Sequence, residues 1–252
     1  MAAAANPIEQ FEIHEFFPVV KIAGHQIAFT NSAAYMIVAV ALITLLMLGT
    51  TAGRRLVPTR MQSLAELSYE FIGSTIRSAA GEHGMKFFPL VFSLFMFIFF
   101  TNVIGLIPFT FTVATQIIIT ASLALLVFFT VIIYGVWHNG LRFLKVFAPS
   151  GIPIYILPLI VVIEIMSFLS RPVSHSVRLF ANMLAGHITL KLVAGFVVMI
   201  GAYGVAGWAG AVLPLVFTVA LTALELLVAV LQAYVFTILT CIYLNDAIHP
   251  GH

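Results

Sequence analysis

The chain has 252 residues, 62% of them hydrophobic and 13% aromatic, and only 8% are charged, against roughly 25% in an ordinary soluble domain. With 11 Lys and Arg and 9 Asp and Glu it cannot clothe a water-soluble domain of this size. A soluble enzyme and a disordered chain are both excluded, which leaves an integral membrane protein with several spans. A net charge of +2 gives no footprint for nucleic acid, and the single cysteine, Cys241, excludes an internal disulfide framework or a cysteine zinc cluster.

Residues 1–32 read as a tail on the outer side of the membrane. They hold Glu9, Glu12, Glu15 and Lys21, and MAAAANPIEQFEIHEF lacks the basic start and apolar core of a cleavable signal. No Asp, Glu, Lys or Arg occurs between Lys21 and Arg54, and a first span is predicted over 33–53. Residues 59–83 differ. Met61, Leu64, Leu67, Phe71, Ile72, Ile76 and Ala79 recur on one side and Glu66, Glu70 and Arg77 on the other. That pattern predicts an amphipathic helix on the cytoplasmic membrane surface. Thr59 and Gln62 are spaced for a capping box after Pro58.

The next uncharged stretch runs from Lys86 to Arg142. It is long enough for two spans, 86–108 and 114–137, separated by a break in GLIPFTFT around Pro108. Two longer segments follow, 154–201 and 212–244, joined by the glycine-rich AYGVAGWAGAV. Continuous apolar runs without alternation argue for helices rather than barrel strands. The prediction is therefore one all-α membrane domain over 1–252, with about five transmembrane passes and one amphipathic surface helix. Arg54, Arg55, Arg60, Arg77 and Lys86 lie after the first span, and Arg142 and Lys145 after the third. This places the N-terminus outside and the C-terminus in the cytoplasm.

The two last segments carry charges in apolar surroundings: Glu164, Arg171, Arg178, Lys191 and Glu225. Each costs about 2.5–3.5 kcal/mol at a bilayer centre, and such residues mark ion or proton pathways by default. At 100° per residue, Glu164, Ser167, Arg171, Ser174 and Asn182 all lie within about 40° of Arg178, forming one polar stripe. Ala181 and Ala185 flank it, leaving a shallow surface that another helix can approach, while Pro172 would perturb the backbone. His187 lies about 180° from Arg178, with Lys191 on its face. On the last segment Thr218, Thr222, Glu225, Ala229 and Gln232 form a second stripe. An antiparallel hairpin lets His187 reach Glu225. Structural roles compete for several residues: Glu164 and Arg171 are spaced for an ion pair, Lys191 for snorkelling, His138 for an interfacial loop, His175 for packing, and Gln232 and Asn182 for holding helices together. No acid lies within one turn of Arg178.

The run SFLSRPVSHSVRLFANMLAGHITL, with NVIGLIP near Asn102 and LELLVAVLQAYVFTIL around Glu225 and Gln232, resembles subunit a of the F-type ATP synthase over nearly the whole chain. The resemblance implies a non-catalytic component of the membrane sector, without cofactor or metal, in a bacterial inner membrane. Its partners would be the ring of c subunits, the b or b′ subunits of the peripheral stalk, the F1 sector indirectly and the lipid bilayer. It implies that the last two helices form an inclined antiparallel hairpin along the ring. Two half-channels would carry protons to and from a ring carboxylate. Arg178 corresponds to the family's essential arginine, Asn182 to its asparagine and Gln232 to its glutamine. His187 and Glu225 correspond to its histidine–acid pair, here in the order of mitochondrial and related bacterial members. Glu164, Ser174 and His175 match positions of the other half-channel. In that scheme a guanidinium, charged at any relevant pH, strips the proton from the passing carboxyl and blocks direct hopping between half-channels.

The alternative is a secondary transporter, whose broken helices also carry buried charges; about five spans without an internal repeat speak against it. A haem-binding subunit is disfavoured because His175 and His187 point about 120° apart on one helix.

Overall fold

The fold is described from a computed structural model, which covers residues 12–22, 25–51, 59–107, 110–147, 153 and 155–249. The first eleven residues, Arg54, Arg55, Pro58 and Pro108, on which the sequence raised expectations, lie outside them.

The described chain opens on an antiparallel hairpin, β1 (Glu15–Ile22) with β2 (His25–Thr30). Glu15 lies opposite Thr30 and Ile22 opposite His25. The sequence reading had only a tail here. EFFPVVKI and HQIAFT are short and rich in aromatic and β-branched residues, which suits a ribbon. The register slips between Pro18 and Val20, consistent with a residue that cannot donate to a ladder. Asn31 then fastens the strand exit to the first helix. Its Oδ1 accepts from the N–H of Ser32 at 2.8 Å and of His14 at 3.3 Å, and its Nδ2 donates to the Glu12 carbonyl at 3.1 Å.

Six helices follow: α1 (Asn31–Thr51), α2 (Arg60–Ala80), α3 (Phe88–Gly105), α4 (Ile117–Asn139), α5 (Leu157–Gly201) and α6 (Val205–Ile248). All but α2 are long and apolar enough to cross a membrane, five in total. In such segments the interior backbone groups pair mostly within the helix, which suits a bilayer.

α2 is amphipathic in a different way from its sequence pattern. Thr59 Oγ1 accepts from the Gln62 N–H at 3.4 Å, but the Gln62 side chain does not reach back. Its Nε2 donates to Glu66 at 2.8 Å, so only half of the expected capping box forms. Ile72, Ile76 and Ala80 are core residues, whereas Met61, Leu64 and Leu67 are exposed. The expected single apolar face is thus divided, because the apolar side chains that protein covers lie in the C-terminal half of α2, while in the first turn it covers Gln62. Gly81, at φ +65, ends the helix.

Pro172 does not break α5, which continues as one 45-residue helix. A mid-helix proline removes a single donor from the ladder. The connection from α5 to α6 is shorter than the glycine-rich sequence implied. It consists of Ala202, Tyr203 and Gly204, the last at φ +80, and the GWAGAV portion belongs to α6. Gly207 lies so close to the Ile200 carbonyl that no Cβ would fit.

The chain divides into two compact units. Unit 1 comprises Met1–Leu42, Phe97–Gln116 and Phe180–Gln232; unit 2 comprises Ile43–Met96, Ile117–Leu179 and Ala233–His252. In each unit the α5 portion packs antiparallel against the α6 portion, through His187 and Glu225 in unit 1 and Arg171 and Asp246 in unit 2. The core of unit 1 includes Ile98, Phe111, Met183 and Ala229; that of unit 2 includes Ile72, Val91, Val127, Val131 and Leu244. Phe128, Phe143, Phe147 and Phe168 form an aromatic cluster in unit 2.

Candidate functional site

Unit 1 gathers its polar groups at one level of α5 and α6. The Nδ1 of His187 lies 3.2 Å from Oε1 of Glu225, and both side chains are buried, 8% and 5% exposed. The distance is that of an ion pair, yet among the described residues neither carboxylate oxygen has a hydrogen bond. The two groups are close without an aligned hydrogen bond between them. A buried carboxyl without donors is costly, and its oxygens remain open to a proton.

Backbone geometry creates the space. Gly186, immediately before His187, has no Cβ; one placed there would meet Oε1 of Glu225 at 2.9 Å. The acid therefore rests on the α5 main chain. On the other side of the ring, Nε2 lies 3.1 Å from Oγ1 of Thr112. Thr112 is completely buried and comes from the short connection between α3 and α4. Its hydroxyl is also 3.4 Å from the Gly105 carbonyl. Gly105 is a second seat: a Cβ there would come within 2.6 Å of the Thr112 side chain. Below this level Asn102, fully buried, donates from Nδ2 to the Ala229 carbonyl at 3.2 Å and ties α3 to α6. Sequence reasoning missed the contact of Thr112 with His187. Its signal is a hydroxyl in the short break between two spans, which was read as a helix breaker alone. Also in unit 1, Lys191 and Gln232 are half-buried and Asn182 is exposed.

Unit 2 holds the arginines. Arg171 Nη1 donates to Oδ2 of Asp246 at 2.7 Å. The same guanidinium lies 5.3 Å from the Phe168 ring and 4.9 Å from the Tyr243 ring, which adds cation–π attraction. The Glu164–Arg171 pair that the spacing admitted does not form. Arg171 takes its acid from α6, where a charge-assisted bond is available in a better geometry. Asp246 escaped the sequence reading because it sits in the last turn of α6, 75 residues from its partner. Glu164 is half-buried and has no hydrogen bond or ion pair among the described residues.

His175 is buried at 4% exposure, with its ring centroid 3.8 Å from that of Phe236 and its Nε2 without a hydrogen-bond partner among the described residues. It borders a cavity of about 10 Å³ together with Arg171, Pro172 and Tyr243, close to the room one water needs. Ser174 and Arg178 lie on the exposed side of α5. Among the described residues no hydrogen bond or ion pair engages Arg178. The stripe read from the sequence is therefore split by the fold: Ser167, Ser174 and Arg178 face outward, Arg171 is sealed and Glu164 is partly covered.

The fold and these side chains define a multi-pass membrane protein that keeps in its apolar helices a histidine–carboxyl cluster and a guanidinium unengaged among the described residues. Residues 33–245 match the ATP synthase A chain family. The chain is 69% identical over 247 residues to the ATP synthase subunit a of Nitrobacter winogradskyi, covering 98% of this chain and 99% of that protein. It is 68% identical over 249 residues to the subunit a of Rhodopseudomonas palustris strain TIE-1, covering 99% and 100%. For that of Afipia carboxidovorans the figures are 66% over 248 residues, covering 98% and 100%. The chain belongs to the ATP synthase A chain family.

Proposed function

We propose that this chain is the static, non-catalytic proton-channel subunit in the FO sector of an F-type ATP synthase. It sits in a bacterial inner membrane with its N-terminus periplasmic and its C-terminus cytoplasmic. The observation that carries this reading is Arg178, exposed on an apolar helix and unengaged among the described residues, while Arg171 on the same helix is neutralised by Asp246 at 2.7 Å. An unneutralised cation in a span costs about 2.5–3.5 kcal/mol on the insertion scale. A carboxyl group brought to it by a partner offsets that cost.

The partner is the ring of c subunits, each presenting a carboxyl group in the membrane. A guanidinium close to that group favours the ionised carboxylate, so the proton leaves on one side. The bare carboxylate passes Arg178 and takes a proton from the other side. The fixed positive charge repels a proton that would cross directly. His187 and Glu225 serve the outer path; Glu164, Ser174 and His175 serve the inner one; Asn182 and Gln232 flank the arginine. The driving force is about 2.3 kcal/mol per proton per 100 mV.

The length of the last helices supports an inclined arrangement. At 1.5 Å per residue, the 45 residues of α5 extend about 68 Å, whereas the hydrocarbon core is about 30 Å thick. Such a helix stays in the apolar phase only by leaning, which also gives it a long front toward a ring. The b or b′ subunits of the stalk hold the chain against rotation, and through them the F1 sector receives the torque.

The test is proton-driven ATP synthesis by the assembled complex in vesicles carrying position-178 variants. Arg178→Ala is expected to abolish coupled proton flow while assembly persists, and Arg178→Lys separates fork geometry from point charge. Full synthesis with Arg178→Ala would refute the reading.

A further inference from the structure

The His187 ring is held at both ends, but by unlike partners. Glu225 lies at Nδ1 without an aligned hydrogen bond, while Thr112 lies at Nε2 within hydrogen-bonding distance. We propose that Thr112 is a positioning residue of the proton path, whose hydroxyl sets which nitrogen of His187 carries the proton. The inference rests on the proton-path reading given above and adds a third member to the His187–Glu225 pair.

The argument is a count of hydrogens. A threonine hydroxyl donates once and accepts through its lone pairs. The Gly105 carbonyl, 3.4 Å from Oγ1, only accepts. If Thr112 donates to Nε2, that nitrogen offers its lone pair and a neutral ring carries its hydrogen on Nδ1, beside Oε1 of Glu225. If Thr112 turns and donates to the Gly105 carbonyl, its lone pair faces Nε2, which must then carry the hydrogen. A neutral ring in that state offers a lone pair at Nδ1, beside an acid that holds a proton. Rotation about one C–O bond exchanges the donor and the lone pair that face Nε2, and so selects between the two tautomers. The two arrangements differ by one proton: it enters at Nε2 from the outer path proposed above, and the ring releases its Nδ1 proton to Glu225, so the charge of the ring is unchanged.

The surroundings favour this use over simple packing. Thr112 is completely buried, and Gly105 leaves its Cα bare beneath the threonine side chain. Gly186 does the same beneath Glu225. The hydroxyl and the acid are therefore both seated on main chain, so their separation from the ring is fixed by α3 and α5 themselves. The hydroxyl, 3.1 Å from Nε2, is placed to bias the ring's tautomer.

The experiment compares Thr112→Val, which keeps the shape and removes the hydroxyl, with Thr112→Ser, which restores it. ATP-driven acidification and potential-driven ATP synthesis are measured on the whole synthase in liposomes, alone and combined with Glu225→Gln. Thr112→Val should slow proton flow about tenfold, a part of what acid–base groups contribute. Thr112→Ser should recover most of the rate, and Thr112→Val should add no further loss to Glu225→Gln. If Thr112→Val fails to assemble, Thr112→Ala makes the same comparison without added bulk. Wild-type flow in Thr112→Val overturns the assignment. So does a Thr112→Ser variant as slow as Thr112→Val, or losses that multiply with Glu225→Gln. A slow Glu225→Gln beside a normal Thr112→Val removes only the role of Thr112; a normal Glu225→Gln removes the proton-path reading as well.

Discussion

Each unit of the molecule keeps one acid of α6 beside a nitrogen base of α5, and the two are treated in opposite ways. Asp246 in unit 2 is fastened to Arg171 by a 2.7 Å bond, one-third exposed, with Phe168 and Tyr243 against the guanidinium. Glu225 in unit 1 is 5% exposed, lies 3.2 Å from His187 and, among the described residues, has no hydrogen bond on either oxygen. The first acid is committed to a permanent cation. The second faces an imidazole, whose two nitrogens can give or take a proton. A locked pair holds helices; an unlocked one can pass a charge. Distance alone does not separate the two cases, but alignment does.

Four substitutions would break or sharpen this contrast. The largest effect is expected for Glu225→Gln, which keeps shape and removes the exchangeable acid. Proton-driven ATP synthesis should fall about a hundredfold, the scale of an acid–base group; a fall of less than threefold would put the two acids on the same footing. Gly186→Ala should follow, since its new Cβ would meet the carboxylate at 2.9 Å and displace it. Slower proton flow by about tenfold, the kind of loss that sub-ångström misplacement brings, is expected with a normal yield of complex. Asp246→Asn should instead act on stability, at about 1–2 kcal/mol for a partly exposed pair. It should be read as a lower melting temperature, with a smaller loss of flow than Glu225→Gln; the reverse ordering would make Asp246 the working acid. The smallest effect is expected for Asn102→Leu, which removes one buried hydrogen bond worth about 1 kcal/mol and should be visible in thermal melts of the complex.

The five spans were legible because charge is so scarce in this chain that its gaps outline them. Helical phase was enough to bring His187 within reach of Glu225 and to leave Arg178 without a nearby acid. Other features were hidden for definite reasons. The partner of Arg171 was invisible because ion pairing was sought along one helix, at Glu164, while the actual acid arrives from α6, 75 residues away. Thr112 was hidden for the same reason, being equally distant in sequence from His187. The hairpin over 15–30 is too short for alternation to stand out from a tail. On α2, periodicity identified the apolar residues but not which of them protein would cover. Met61, Leu64 and Leu67 stay exposed while Ile72 and Ile76 are buried.

Gly105 and Gly186 carry a consequence for how this chain tolerates mutational drift. The walls of the Thr112–His187–Glu225 cluster that matter most are two bare α-carbons rather than side chains. Lipid-facing residues can wander through Leu, Ile, Val and Phe without disturbing such a wall, because it belongs to the main chain. A single added methyl group at either glycine would do what many outward substitutions cannot. The two smallest residues of the cluster are thus where one added methyl group weighs most.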